Sequence, residues 1–458
     1  MHSVRHENAS GRRRRKFGNN TMEQAAGLLL IGVAVVCGGG GSQQGAANLI
    51  VELAALCYLA LFPGRVANFF RDGPRFLVIL TGATLLLPLV QLVPLPAAVS
   101  AGLPGHDLVY SSLGLVGREA AWWPISVVPQ RTFMGWLALL VPFATLVAFH
   151  DVDRKGALRA LQLLCLLGVF VAVLGGLQIA SNNMLAMPYG EARGGMGLFG
   201  TFANHNSSGL FFDLVLVAAA ILFATRPMGL ALRIAGAAAM LIGVLVVALT
   251  QSRSSMGLLL LPAAYLGWSF VRMGGAGKVD RRVLWAGAAI CALSGAVVVA
   301  LLLGNARIAA SLGRFDELQD IRLLIWGDSW GLMQRFLPFG AGIGSFADLF
   351  QIHESLEYLG PLRAGRAHND YLEIVIEAGA AGCLLVLAWF VWGLREAFAA
   401  LRKPSDLATA GYVTMLVALA IQSFVDYPLR NLSLFCVAAL AVSLLVARNG
   451  DKREGNSQ

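Results

Sequence analysis

Residues 157–180 read ALRALQLLCLLGVFVAVLGGLQIA, and after Arg159 the run to Ala180 carries no charged side chain. A helix crossing the hydrocarbon core of a bilayer needs about 20 such residues. The basic residues Arg154, Lys155 and Arg159 cluster at one end only. The stretch therefore reads as a membrane span with its basic end in the cytoplasm.

The same reading extends along the chain. Twelve apolar segments are expected, at 25–41, 46–62, 76–97, 132–149, 157–180, 207–225, 234–250, 255–271, 284–304, 371–394, 408–425 and 432–447. Composition agrees, with 57% of the 458 residues hydrophobic and only 13% charged. Mean hydropathy is +0.68. A soluble domain carries about 25% charged residues, so a soluble enzyme, a disordered chain and a disulfide scaffold are excluded. The expected fold is an all-α polytopic integral membrane protein of about twelve transmembrane helices. Residues 1–24 form a basic cytoplasmic segment, 25–304 the first nine spans, and 305–370 a large helical outer loop. Residues 371–447 hold the last three spans and 448–458 a cytoplasmic tail.

The net charge of +9 acquires meaning from its location. The run Arg12–Lys16 precedes the first span. The connections holding Arg65, Arg71 and Arg75, then Arg154, Lys155 and Arg159, and onward to Arg448, Lys452 and Arg453, all fall on its side. The positive-inside rule makes that side cytoplasmic, with both termini there. No basic domain interleaved with aromatics suggests nucleic acid, and no cleavage site of a signal peptide follows the basic run. The six cysteines lie in apolar stretches without a CxxC pair, as small hydrophobes rather than zinc ligands or disulfides.

On the opposite side basic residues are scarce, and those present stand out. Arg253 occupies the short turn Thr250–Ser255. Arg314 and Arg322 lie in the large loop, where Ile321, Leu324, Ile325, Trp330 and Met333 suggest an amphipathic helix. Arg366 and His368 precede the tenth span, and Arg430 follows the eleventh. Arginine offers a planar fork of donors that suits phosphate oxygens, with lipid headgroups or nearby carboxylates as the competing partners. Histidine suits proton abstraction near neutral pH. Gly379 lies eleven residues after His368, close to three helical turns, so the two are expected to share one helix face, with Gly382 nearly on it. Asp213, Glu373 and Glu377 sit inside spans, where ionisable groups are costly. Asp426 lies at a span end, where hydration weakens that argument. Gly340–Gly344 lacks the preceding strand of a nucleotide loop and reads as a tight turn between outer helices. No metal-binding spacing is present.

His368-Asn369, followed after nine residues by Gly379-Ala380-Ala381-Gly382, resembles the His-[Asn/Ser/Gln]-x9-Gly-x-x-Gly motif of bacterial O-antigen ligases. Arg322-x-x-x-Trp326, Pro338–Phe346, the Ser252-Arg253 turn and Asn204-His205-Asn206 follow the order of the O-antigen ligase and polymerase superfamily. The resemblance covers roughly residues 190–390. It implies a GT-C-like glycosyltransferase of the bacterial inner membrane that needs neither cofactor nor divalent metal. The donor would be an undecaprenyl-diphosphate-linked glycan, and the site would face the periplasm. The acceptor would be the lipid A core for a ligase or another lipid-linked glycan for a polymerase. By position His368 would be the base. Arg253 with Arg322, or with Arg314, would hold the diphosphate. Arg366, Asn369, Asn206 and Arg430 would contact substrate, and Gly379 and Gly382 would shape the site. A transporter or flippase of similar span number, and a structural membrane subunit, are the readings from other classes.

Overall fold

The computed structural model describes residues 21–41, 44–181, 199–274, 321–356, 365–402 and 406–455. Among these the chain is helical, apart from an isolated antiparallel bridge between Leu95 and Trp123. In order, the helices are α1 (Thr21–Gly40), α2 (Gly45–Leu61), α3 (Pro63–Asp72), α4 (Arg75–Gln91), α5 (Ala97–Ser100) and α6 (Asp107–Leu115). There follow α7 (Pro129–Phe149), α8 (Arg154–Ala180), α9 (His205–Thr225), α10 (Leu230–Leu249), α11 (Arg253–Leu258) and α12 (Leu260–Gly274). The last are α13 (Ile321–Phe336), α14 (Phe346–His353), α15 (Asp370–Leu401), α16 (Leu407–Val425) and α17 (Leu432–Gly455).

Eight helical stretches among the described residues are long and apolar enough to cross a membrane. The pair α2–α3, bent by 78°, makes a ninth if it counts as one span. The protein is an all-α multi-pass membrane protein. Helices occupy eleven of the twelve expected segments, although α4 and the apolar part of α17 are short. The expected span at 284–304 lies outside the described residues, as do residues 1–20 and Arg314.

Helix α9 lies at the centre, with 72% of its apolar window buried, and it packs against α8, α10, α12 and α16. Its buried phenylalanines Phe211 and Phe212 join Leu161 and Leu164 of α8 in one continuous core. The outward face of α8 carries Leu166, Val169, Phe170, Val173 and Leu177, all exposed. Their spacing of three and four residues makes a single apolar stripe. Such a stripe suits lipid and would be a liability in water.

A second, smaller core caps one end of the bundle. Ile325, Leu332 and Phe336 of α13 meet Phe346 and Phe350 of α14, together with Ala367 and Ile376. The expected stripe on α13 is therefore only partly right. Ile325 is buried and Met333 packs against the same cluster, but Leu324 and Trp330 face outward. The buried spacing 325, 332, 336 belongs to a face rotated from the one the sequence suggests. Two ion pairs at the rim, Arg131–Asp348 and Arg335–Asp107, both at 2.7 Å, attach this cap to α7 and α6. Exposed pairs of this kind contribute about 0–1 kcal/mol, so the apolar contacts carry most of the attachment.

The glycine run that ends α1 joins distant parts of the chain. The Gly39 carbonyl accepts from Ala203 N and from Asn431 Nδ2, both at 3.0 Å. A Cβ at Gly39 would collide with the Thr201 carbonyl, whereas a Cβ at Gly32 meets open space. Overpacking of this kind costs about 1–3 kcal/mol. Gly39→Ala should lower the thermal unfolding midpoint of the detergent-solubilised protein by several degrees. Gly32→Ala should leave it within about 1 °C or raise it. Equal midpoints for the two variants would contradict the close approach.

Candidate functional site

Helix α15 does not begin where its motif does. Asn369 caps it, its Oδ1 accepting from Leu372 N at 3.0 Å, so the first helical residue is Asp370. His368 stands before the cap in a left-handed conformation, with φ of 51°. The shared helix face expected for His368 and Gly379 therefore does not exist. Gly379 itself interrupts the helix, with φ 58° and ψ −147°.

The interruption has a clear cause. In an unbroken helix Ala380 N would donate to the Ile376 carbonyl. Instead Ala380 N donates to the Pro338 carbonyl (2.9 Å), and Ile376 O accepts from Ala341 N (2.9 Å). Gly342 N donates to the Glu377 carbonyl (2.8 Å). The glycine-rich loop 338–345 thus inserts its own backbone into the break. A Cβ on Gly379 would strike the Pro338 carbonyl, and one on Gly340 would strike the Glu377 carbonyl and Gly379 N. Gly379 admits a loop rather than a neighbouring helix. A Cβ on Gly382 would press on Ala378 and Ile374 of its own helix, so this glycine accommodates the bend.

The loop and helix α13 hold the approach to His368. Trp326 Nε1 donates to the Ala367 carbonyl at 2.8 Å, fixing the residue immediately before the histidine. Arg322 lies one turn earlier on the same face of α13, half-buried.

The imidazole is oriented from the other side. His368 Nδ1 lies 3.1 Å from Asp426 Oδ1, and Asp426 is 1% exposed. A carboxylate acceptor there keeps the proton on Nδ1 and leaves Nε2 as the basic nitrogen. The second carboxylate oxygen accepts from Asn204 Nδ2 at 3.2 Å, which also donates to the Tyr427 hydroxyl at 3.1 Å. The Tyr427 ring lies 5.0 Å from the imidazole, steeply inclined to it. Burial, reinforced by the Asp426 charge, pushes the Tyr427 hydroxyl up to about 12, so it stays a neutral phenol. Asn204 in turn caps α9, its Oδ1 accepting from Asn206 N at 2.9 Å. Asn206 Oδ1 accepts from the Ser252 hydroxyl at 3.0 Å. Ser252 caps α11, whose first residue is Arg253. One run of short-range contacts therefore links the arginine turn, the start of α9, Asp426 and His368. Asp213 is fully buried beside Ser255, the residue Ser252 caps.

Beneath His368 lies a buried ionic cluster. Asp370, Glu373 and Glu377 recur at three and four residues and share one face of α15. Arg430 reaches all three, with Nη1 at 2.7 Å from Glu377 and Nε at 3.5 Å from Glu373 and 3.7 Å from Asp370. Arg366 meets Glu373 at 2.6 Å. Glu373 also accepts from Ala367 N, and Glu377 accepts from Phe346 N, both at 3.2 Å. Burial alone would lower the Arg430 pKa. Glu377, Glu373 and Asp370 more than offset it, raising the value and keeping the guanidinium charged.

The sequence-derived candidates thus divide. The turn that carries Arg253 is joined to His368 through Ser252, Asn206, Asn204 and Asp426, and Arg322 lies one turn before Trp326, which holds Ala367. Asn206 and Asn369 act through capping and turn contacts, and Arg366 and Arg430 are engaged by carboxylates. The sequence makes only a weak case for Asp426, because a span end is usually hydrated. Its partners, His368 and Asn204, lie far away in the chain and were not apparent from it. Among the described residues no group of histidine, cysteine and carboxylate side chains has a metal-binding arrangement.

Residues 238–387 match the family described as O-antigen ligase. No curated protein matches the chain. The matched stretch holds Arg253, Arg322, Arg366, His368, Gly379 and Gly382, and it ends before Asp426 and Arg430.

Removing Arg430 would take the cation from buried Asp370 and Glu377 and leave Glu373 with Arg366 alone. Breaking a buried pair typically costs about 3–5 kcal/mol. Arg430→Gln should therefore reduce the amount of folded protein and its unfolding temperature sharply. A stable variant that has lost only affinity for an anionic donor would instead assign Arg430 to substrate.

Proposed function

We propose that this chain, which matches the O-antigen ligase family over residues 238–387, transfers a lipid-linked glycan to an acceptor hydroxyl as an enzyme of the O-antigen ligase and polymerase superfamily. The donor is undecaprenyl-diphosphate-linked glycan, and the reaction occurs on the periplasmic face of the bacterial inner membrane. In the topology expected from the sequence, twelve spans with both termini in the cytoplasm, the region around His368 belongs to that face, and the charge pattern supports this reading. The observation that carries the proposal is the His368–Asp426–Asn204 arrangement, joined through Asn206 and Ser252 to the turn that carries Arg253, with Arg322 at the start of the helix whose Trp326 holds Ala367.

The chemistry follows from those groups. His368 Nε2 takes the proton of the acceptor hydroxyl as its oxygen attacks the anomeric carbon. The bond from that carbon to the diphosphate breaks, and undecaprenyl diphosphate leaves with the electron pair. A single displacement inverts the anomeric centre. Asp426 stabilises the imidazolium that forms, and the proton passes from it to solvent after product release. Arg253 and Arg322 face the charge that grows on the leaving diphosphate, where fixed cations act more strongly on the transition state than on the ground state. Arg366 and Arg430 hold α15 in place and make no contact with the diphosphate. Neither a nucleotide sugar nor a divalent metal is required by this scheme.

His368→Ala should abolish transfer while membrane levels of the protein stay normal. Asp426→Asn should retain binding but lower turnover on the order of 100-fold or more, because the imidazole loses its charge partner. Arg253→Lys should be severely impaired, since a point charge does not reproduce a bidentate fork. Full activity of His368→Ala would falsify the mechanism. The acceptor is read from a deletion strain. Polymer left on its lipid carrier, with none on lipopolysaccharide, identifies a ligase, and accumulation of single repeat units identifies a polymerase.

A further inference from the structure

The break in α15, filled by loop 338–345, is also engaged by a residue that no motif singles out. Gln91 is the last residue of α4 and is 2% exposed. Its side-chain Nε2 donates to the Glu377 carbonyl at 2.8 Å, and its Oε1 accepts from Ile343 N at 3.0 Å. Its backbone carbonyl accepts from Ser126 N at 2.9 Å. The amide orientation follows from its partners, because a peptide carbonyl can only accept and a peptide N–H can only donate. Gln91 therefore acts as an added peptide unit. It joins the helix break, the glycine loop and the 123–128 segment, which itself meets the loop through Val127 N and Ala341 O at 2.9 Å.

The Glu377 carbonyl takes two hydrogen bonds, from Gly342 N and from Gln91. That backbone position sets the carboxylate of the same residue, which engages Arg430 and Phe346 N. Arg430 also reaches Glu373, and Glu373 holds Arg366 and Ala367 N directly before His368. The first two turns of α15 are thus held at their far end by Gln91 and at their near end by the ion pairs.

We propose that Gln91 is a positioning residue for glycan transfer, fixing the start of α15 so that His368 meets both Asp426 and the acceptor. The inference rests on His368 being the base. Shorter asparagine cannot reach both partners, glutamate keeps the acceptor but loses the donor, and leucine loses both.

The test uses full-length protein in proteoliposomes, supplied with lipid-linked glycan and acceptor extracted from a deletion strain. For Gln91→Leu, kcat should fall on the order of 100-fold, as a displacement of about 1 Å in a reacting group can produce. The KM for donor should stay within about threefold, and the unfolding midpoint within a few degrees. Gln91→Glu should fall between Leu and wild type. Hydrogen exchange should accelerate in the segments around Ile343 and Gly379 of Gln91→Leu, and not in α8 or α10. Wild-type kcat in Gln91→Leu overturns the proposal. So does a loss of activity that merely follows the fraction of unfolded protein. Should Gln91→Leu fail to fold, Gln91→Glu decides by the same measures. An active His368→Ala would remove the base assignment, whereas an inactive His368→Ala beside a fully active Gln91→Leu would remove this inference alone.

Discussion

Backbone carbonyl oxygens freed inside a membrane protein have no water to accept from, and leaving one unpaired costs several kcal/mol. The break at Gly379 frees such groups, and the surrounding structure is arranged to engage them. Loop 338–345 supplies Ala341 N and Gly342 N, takes up Ala380 N through Pro338, and approaches so closely that Gly340 and Gly379 leave no room for a Cβ. With the loop anchored, α13 has a fixed place, and Trp326 on α13 holds the carbonyl of Ala367. The position of the imidazole depends on this exchange of hydrogen bonds between loop and helix.

Helix α15 is also long for a membrane span. The apolar stretch Asp370–Ala399 has 30 residues, which at 1.5 Å per residue is about 45 Å, against a hydrocarbon core of about 30 Å. Its first turns can therefore stand at the rim, where Asp370, Glu373 and Glu377 meet Arg366 and Arg430. A buried ionic cluster contributes little net stability once desolvation is counted. Its effect here is geometric. Arg430 arrives from the connection after α16 and so ties that connection, which carries Asp426 and Tyr427, to the helix that follows His368.

The site is composite in chain order. The family match spans residues 238–387, yet the groups that orient His368 come from outside it. Asn204 precedes the matched stretch, and Asp426 follows it. Gln91 comes from an earlier helix still. An imidazole on one segment and the carboxylate that meets it on another require α9, α15 and α16 to be docked correctly before the imidazole has a defined tautomer.

Much of this architecture was legible in the residues alone. Spans such as 157–180 and 207–225 were apparent because lipid selects apolar side chains whatever their neighbours. The arginines opposite the basic side stand out because basic groups are rare there, and the His368-Asn369 element stands out by its spacing to Gly379 and Gly382. What could not be read was which polar groups meet. Helical periodicity placed His368 and Gly379 on one face, but the Asn369 cap and the left-handed conformation of His368 remove the histidine from the helix. The same limitation hides Asp426, whose hydration depends on whether Asn204 and His368 cover it, and hides which carboxylates Arg430 meets. Transfer into lipid is a property of each residue and its local run. Orientation of a side chain, and the satisfaction of a broken helix, depend on distant segments that only the tertiary structure brings within hydrogen-bonding distance.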